Sequence, residues 1–231
     1  MASYTVEQLQ EKLDKNLYWR KKELTLIRSA IDASEGDALI FSIRSGIAIL
    51  YAHWEGYIKT SSREYLKYIN ALNLRCVDLI DNLRILSVKS TIVNSRKSNK
   101  SLMHAEIINE YFSMPDKVFS VNVMDKLIID TESNLNYLVL KDILFSLGFD
   151  HSPYELKEHY IKDSLVEQRN KIVHGEFVQF IQRNRDQKKE EKKVRENYAE
   201  IYHEILALVE FFKEQILKSA IERKYLKTIP V

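Results

Sequence analysis

Residue types suited to proton and phosphate chemistry sit together in the stretch QRNKIVHGE, Gln168 to Glu176. Arg169 carries a permanent cation with a planar fork of donors that matches a phosphate. His174 carries an imidazole, which titrates near neutral pH and serves as base or acid. Asn170 lies four residues before His174, so on a helix the two stand one above the other on a shared face. Arg169 and His174 are five apart, about 140° around the axis of an α-helix. One helix therefore does not present them side by side. A long arginine curls part of the way, and two copies facing across a two-fold axis bring both Arg/His sets into one cleft. Cleavage of RNA needs such parts: a general base for the 2′-hydroxyl, a cation for the pentavalent phosphate and an acid for the leaving oxygen. It requires no metal. The other reading of the same residues is a polar helix end, with Gly175 as the stop.

The frame for these residues is helical. Among 231 residues there are only 5 glycines and 3 prolines, so few tight turns interrupt the chain and its helices run long. The length suits one large domain, and the fold class read here is all-α. Residues 5–33 form a first helix, opened by the capping box TVEQ and carrying Leu9, Leu13, Leu17, Leu24, Ile27 and Ile31 at helical spacing. SEGD, Ser34 to Asp37, interrupts it. Residues 37–70 form a second helix whose first half is apolar nearly all round, which places it centrally. Residues 72–88 continue as a third helical segment broken near Asn73, and 102–113 are helical again. After Pro115, VFSVNVMDKLIIDTESN is rich in β-branched and aromatic residues with partial alternation. The expectation there is a short β-like or irregular insert around 116–135. Residues 136–147 return to helix and stop at Gly148, and 161–174 carry the Arg/His stretch. The charge run RNRDQKKEEKKVREN, 183–197, reads as a solvated linker or helix face. It leads into a last helix to about 224, with the core stripe Ile201, Ile205, Leu208, Phe212 and Ile216.

Composition excludes several classes. A net charge of +2 is not the strongly basic footprint of a dedicated duplex-DNA binder, although a local patch still binds phosphate. The single cysteine, Cys76, permits no internal disulfide and reads as a buried, inert thiol. No apolar run approaches the roughly 18 residues needed to span a bilayer, and the N-terminal MASYTVEQLQEKLDK has charges where a signal peptide is apolar. A cytoplasmic protein is expected. The scattered glycines build no phosphate loop, dinucleotide turn or nucleophile elbow. His104, His151, His159 and His203 lack metal-ligand spacing, so neither a metal nor any other cofactor is expected.

Further candidates surround the motif. Glu55 lies on a stripe with Arg44, Ala48, Tyr51 and Lys59. A carboxylate in so apolar a helix needs a partner. Either Arg44 or Lys59 pairs with it, or it faces the motif helix and orients Arg169 or His174, with Lys171 also in support. Tyr51 is a candidate for substrate binding, because tyrosine stacks on unpaired bases; the other reading for the tyrosines is core. In the basic loop NSRKSNKS, Arg96 and Lys97 are candidates for phosphate contact, against the reading of a plain surface loop. His53 and Trp54 are expected to pack or cap.

RNKIVHG resembles the R-x4-6-H motif of HEPN-domain proteins, in which a polar residue often follows the arginine. YAHWEGYIK, Tyr51 to Lys59, and DTESNLNYLVLKDILFSLGFD, Asp130 to Asp150, also resemble the HEPN-like nucleases of bacterial toxin–antitoxin and phage-defence loci. The resemblance spans roughly residues 36–220. It implies an up-and-down helical bundle that dimerises and cuts RNA without metal, with the motif pair at the dimer interface. Arg169, Asn170 and His174 would be its catalytic residues, and the products would carry a 2′,3′-cyclic phosphate and a 5′-hydroxyl. It further implies a ribonuclease toxin restrained by an antitoxin or a neighbouring defence protein. Some HEPN proteins have lost catalysis and only bind RNA or a partner protein. The domain then covers 1–231, with 1–35 as an N-terminal helix, 36–182 as the core and 183–231 as a long C-terminal helix. The 116–135 insert is additional to a minimal four-helix member.

Overall fold

Helix α1 (Val6–Ala33) starts where its capping box predicts. The Thr5 hydroxyl accepts from the Gln8 N–H, and the Gln8 side chain accepts from the Thr5 N–H at 3.1 Å. Leu9, Leu13, Leu17, Leu24 and Ile31 make its buried stripe. A short corner turns the chain into α2 (Gly36–Ala71), so the two helices lie antiparallel and packed together. The computed structural model describes residues 4–95, 100–182 and 186–227.

Helix α2 is central, as its apolar circumference requires. It packs against α1 on one side and the motif helix and C-terminal helix on others, and buries Trp54, Tyr57, Tyr65 and Leu66 completely. A 3-10 turn (Cys76–Asp78) separates it from α3 (Asp81–Ser95), which forms a pair with α4 (Ser101–Ser113). Cys76 is buried, and burial raises its thiol above the ordinary range.

The insert contains no strand among the described residues; Val118 makes only an isolated bridge to Arg75. Phe119, Ile128, Ile129 and Leu135 are buried one at a time in the bundle surface. Backbone partners come from loops and side chains rather than from a ladder. Leu74 accepts from the Phe119 N–H, and the Asn70 side chain takes both the Val121 N–H and C=O. The β-branched content reflects this piecemeal burial, and the strand half of the expectation is replaced by an irregular segment.

Helix α5 (Tyr137–Leu147) is capped by the Asn136 side chain and ended by left-handed Gly148. After the single turn α6 (Ser152–Glu155), the motif helix begins as a π-helix (Tyr160–Glu167) and becomes α-helical only at α7 (Gln168–Val173). The expected helix over 161–174 therefore has two pitches. Helix α8 (Gln187–Ile221) runs back along α2 and α1, with the predicted stripe Ile201, Ile205, Leu208, Phe212 and Ile216 buried.

Where it is described, the charge run is the helix face and not the linker: Lys188, Lys189, Lys192, Lys193 and Glu196 of α8 are exposed, but the same turns also reach inward. Glu190, Glu191 and Val194 are buried, and residues 183–185 lie outside the described residues. Glu191 accepts the Gly36 N–H at 3.0 Å, while Arg195 donates to the Ser34 carbonyl. Two charged side chains of α8 thus satisfy the corner between α1 and α2. No helix among the described residues is long and apolar enough to cross a membrane.

Candidate active site

Helix α7 ends in a Schellman motif. The Glu176 N–H reaches the Lys171 carbonyl at 2.8 Å and the Gly175 N–H reaches the Ile172 carbonyl at 3.1 Å. This requires a left-handed residue, and Gly175 supplies it with φ of +75°. His174 is the last residue before the reversal, exposed at the helix end. Its imidazole makes no hydrogen bond to any described residue. Arg44 of α2 donates to the Glu176 carbonyl at 3.2 Å and ties down the chain just beyond.

Arg169 faces the other way, toward α2 and the insert. Its guanidinium lies on the Tyr51 ring, 4.0 Å from the centroid. Nη1 donates to the Asn170 amide oxygen at 2.8 Å and to the Ser133 carbonyl at 3.3 Å. Nε and Nη2 make no hydrogen bond to any described residue. Asn170 completes the link: its amide nitrogen donates to the Asn134 side chain at 3.1 Å. Both ends of the Asn170 amide are therefore engaged inside the protein, between Arg169 and the insert. No hydrogen bond joins Arg169 to His174, in keeping with their separation around the helix.

Tyr51 is 1% exposed, so its ring is not offered to solvent for base stacking; it is the shelf beneath Arg169. Its hydroxyl accepts the Leu135 N–H at 2.8 Å. Burial above all, then the Glu55 carboxylate, raises this hydroxyl well above the ordinary phenol range, while the Leu135 N–H and Arg169 act in the opposite sense. Tyr51 thus stays a neutral phenol. Glu55 meets neither Arg44 nor Lys59 nor the motif side chains directly. It accepts from the Thr131 hydroxyl at 2.6 Å and lies beside the Tyr51 hydroxyl, so it reaches Arg169 only through Tyr51 and the insert. The reason is geometric: the Thr131 hydroxyl of the insert, absent from the sequence-based pairing, takes the Glu55 carboxylate, while α7 meets α2 through Arg169 on Tyr51.

Trp54 packs in the core and donates to the Leu135 carbonyl at 3.1 Å. His53 is buried against Arg20 and Glu23. Lys171 is exposed on the outer face of α7. Arg96 and Lys97 lie outside the described residues. Sequence reasoning missed Thr131, Ser133, Asn134 and Leu135 as neighbours of the motif. Glu132 and Ser133 both adopt left-handed backbone, with φ of +51° and +53°. Neither residue type signals that conformation; a sequence cue lay only in the turn-forming run around them.

A bundle of long helices with Arg169 and His174 on the helix packed against its central member is the architecture expected of a HEPN domain. The RiboL-PSP-HEPN family model matches residues 15–218, and the chain belongs to that family. No curated protein and no solved structure matches it. HEPN domains are generally ribonucleases, and membership points to a HEPN-type nuclease or another RNA-related function.

Proposed function

We propose that this chain is a metal-independent endoribonuclease acting as a homodimer, with Arg169 and His174 of both copies gathered in one cleft. The observation that carries this reading is the Arg169 arrangement. Its guanidinium is braced by Tyr51, Ser133 and Asn170 on one side and keeps donors open on the other. A braced arginine with an open edge suits an oxyanion. His174 is accessible nearby in sequence but not bonded to it, so a second copy supplies the convergence that one helix lacks. Exposed apolar side chains flank the motif: Val173 at 61%, Phe177 at 87% and, one turn of α2 from Arg44, Phe41 at 71%. Such side chains favour burial against another surface.

In the reaction, one imidazole takes the 2′-hydroxyl proton as O2′ attacks phosphorus. The P–O5′ bond breaks, and O5′ takes a proton from the His174 of the other copy or, more slowly where that residue is missing, from water. Arg169 carries the charge of the pentavalent phosphate. The products are a 2′,3′-cyclic phosphate and a 5′-hydroxyl. Asn170 holds Arg169 in place instead of touching the phosphate. The resemblance to toxin and defence nucleases supports a setting in which an antitoxin or a neighbouring defence protein restrains this activity in the cytoplasm.

A second reading is a HEPN module that binds RNA or a partner protein without cutting. It is favoured by the His174 ring, which has no described hydrogen-bond partner to fix its tautomer. The test is incubation of purified wild type, His174→Ala and Arg169→Ala with total RNA in EDTA, each variant checked for folding by circular dichroism. The ribonuclease reading expects fragments with cyclic phosphate ends from wild type and a loss of about 10²-fold or more in each variant. Folded wild type that binds RNA and leaves it intact favours the binding module.

A further inference from the structure

We propose that the turn Thr131–Leu135 of the insert, together with Tyr51, is a positioning device that presets Arg169 so that only its Nε/Nη2 edge meets a phosphate. This rests on the phosphate role proposed for Arg169 above. Its basis is a set of contacts that converge on one guanidinium.

The turn is unusual in its backbone. Consecutive residues bearing a Cβ, Glu132 and Ser133, are left-handed. That conformation is unfavourable for L-residues and persists only when the surroundings impose it. The surroundings do so from both sides. Thr131 is fastened to Glu55 of α2, Asn134 to Asn170 of α7, and Leu135 by its N–H to Tyr51 and by its carbonyl to Trp54. The consequence of the turn is that the Ser133 carbonyl points at Arg169.

A guanidinium has five N–H donors in a rigid fork. Nη1 is committed to Ser133 and Asn170, and one face is covered by Tyr51. The donors left are those on Nε and Nη2, which lie side by side and match two oxygens of one phosphate. An unbraced arginine must lose its rotamer freedom on meeting the anion, whereas this one has lost it on folding. Tyr51, Thr131 and Asn134 are accordingly positioning residues that act through Arg169.

The test uses the full chain, with its arginine side chains observed by nitrogen-15 NMR and inorganic phosphate as the probe. In wild type, Arg169 is expected to show slow guanidinium rotation, with phosphate shifting Nε and Nη2. Thr131→Val and Asn134→Ala should average the guanidinium signals and weaken phosphate binding about tenfold, in the range of lost outer-shell support. Thr131→Ser should restore wild-type behaviour. In an Arg169→Lys background, Asn134→Ala should have no further effect on phosphate affinity. Should Thr131→Val fail to fold, the partly exposed Asn134 site decides alone. Identical Arg169 signals in wild type and Asn134→Ala, or a wild-type Arg169 edge indifferent to phosphate, would overturn the proposal. RNA cleavage is scored separately. A chain that braces Arg169 and binds phosphate but cuts nothing refutes the ribonuclease reading and leaves this one standing. A chain that cuts RNA with a freely rotating Arg169 does the reverse.

Discussion

In the proposed reaction Arg169 would work through its shape as well as its charge. A lysine at 169 would keep the cation but lose the fork, the Nη1 brace and the flat face that rests on Tyr51. Arg169→Lys is therefore expected to lower kcat/KM for RNA cleavage by about 10²-fold, the scale of one lost transition-state donor, with the fold intact. Initial-rate kinetics on a defined oligonucleotide check it. The motif itself was legible in the sequence, because the residue types and their spacing need no tertiary knowledge. The neighbours were not. Ser133 acts through a backbone carbonyl, which no residue type announces, and Tyr51 is an ordinary core tyrosine until Arg169 is laid upon it. His53 yields a second residue-scale prediction. Burial first, then the charge of Arg20, lowers its pKa below the ordinary 6.5, with Glu23 opposing. The unfolded chain thus takes up the proton more readily than the folded one. Stability from neutral His53 is present above about pH 6.5 and is lost as the pH falls below it. Thermal unfolding between about pH 5 and 8 should show this acid loss, and His53→Gln should flatten the slope.

Among the elements, the helices announced themselves and their contacts did not. Helix α1 follows its capping box and α5 stops at Gly148 as its sequence predicts, since both signals are local in sequence. The π-helical turn before Arg169 has no such signal; Ile161, Leu165 and Val166 are buried there in a register that only packing selects. The β-like half of the insert reading failed for a related reason. The insert's β-branched residues are buried singly, and alternation alone does not separate that from a strand. Helix packing gives a sharper expectation at Gly46. A Cβ built there would meet Ile31 Cδ1 and Tyr198 Cε2, each at 2.8 Å, so side chains of α1 and α8 press on α2 at this glycine. Gly46→Ala gains about 1 kcal/mol in helix propensity but crowds a packed core, a cost of about 1–3 kcal/mol. A net loss of about 1 kcal/mol is expected, read as a lower midpoint in chemical denaturation. An unchanged or higher midpoint would mean that Tyr198 moves aside without penalty.

At the scale of the whole molecule, one copy holds the parts of the proposed site without assembling them. Arg169 is turned inward to the insert, His174 is exposed at the end of α7, and apolar Val173, Phe177 and Phe41 lie around the motif. The sequence pointed to this separation through the five-residue spacing, but the side to which each residue turns depended on the insert. The most direct test of the shared site is a mixed dimer of Arg169→Ala and His174→Ala chains, carrying different tags and purified together. Each parent homodimer lacks every copy of one residue, whereas the mixed dimer keeps one Arg169 and one His174 in a common cleft. Cleavage of RNA in EDTA by the mixed dimer, above both parents and below wild type, is the predicted result. A mixed dimer as inactive as its parents, beside an active wild type, would contradict the shared site; a folded wild type that leaves RNA intact would contradict the ribonuclease itself.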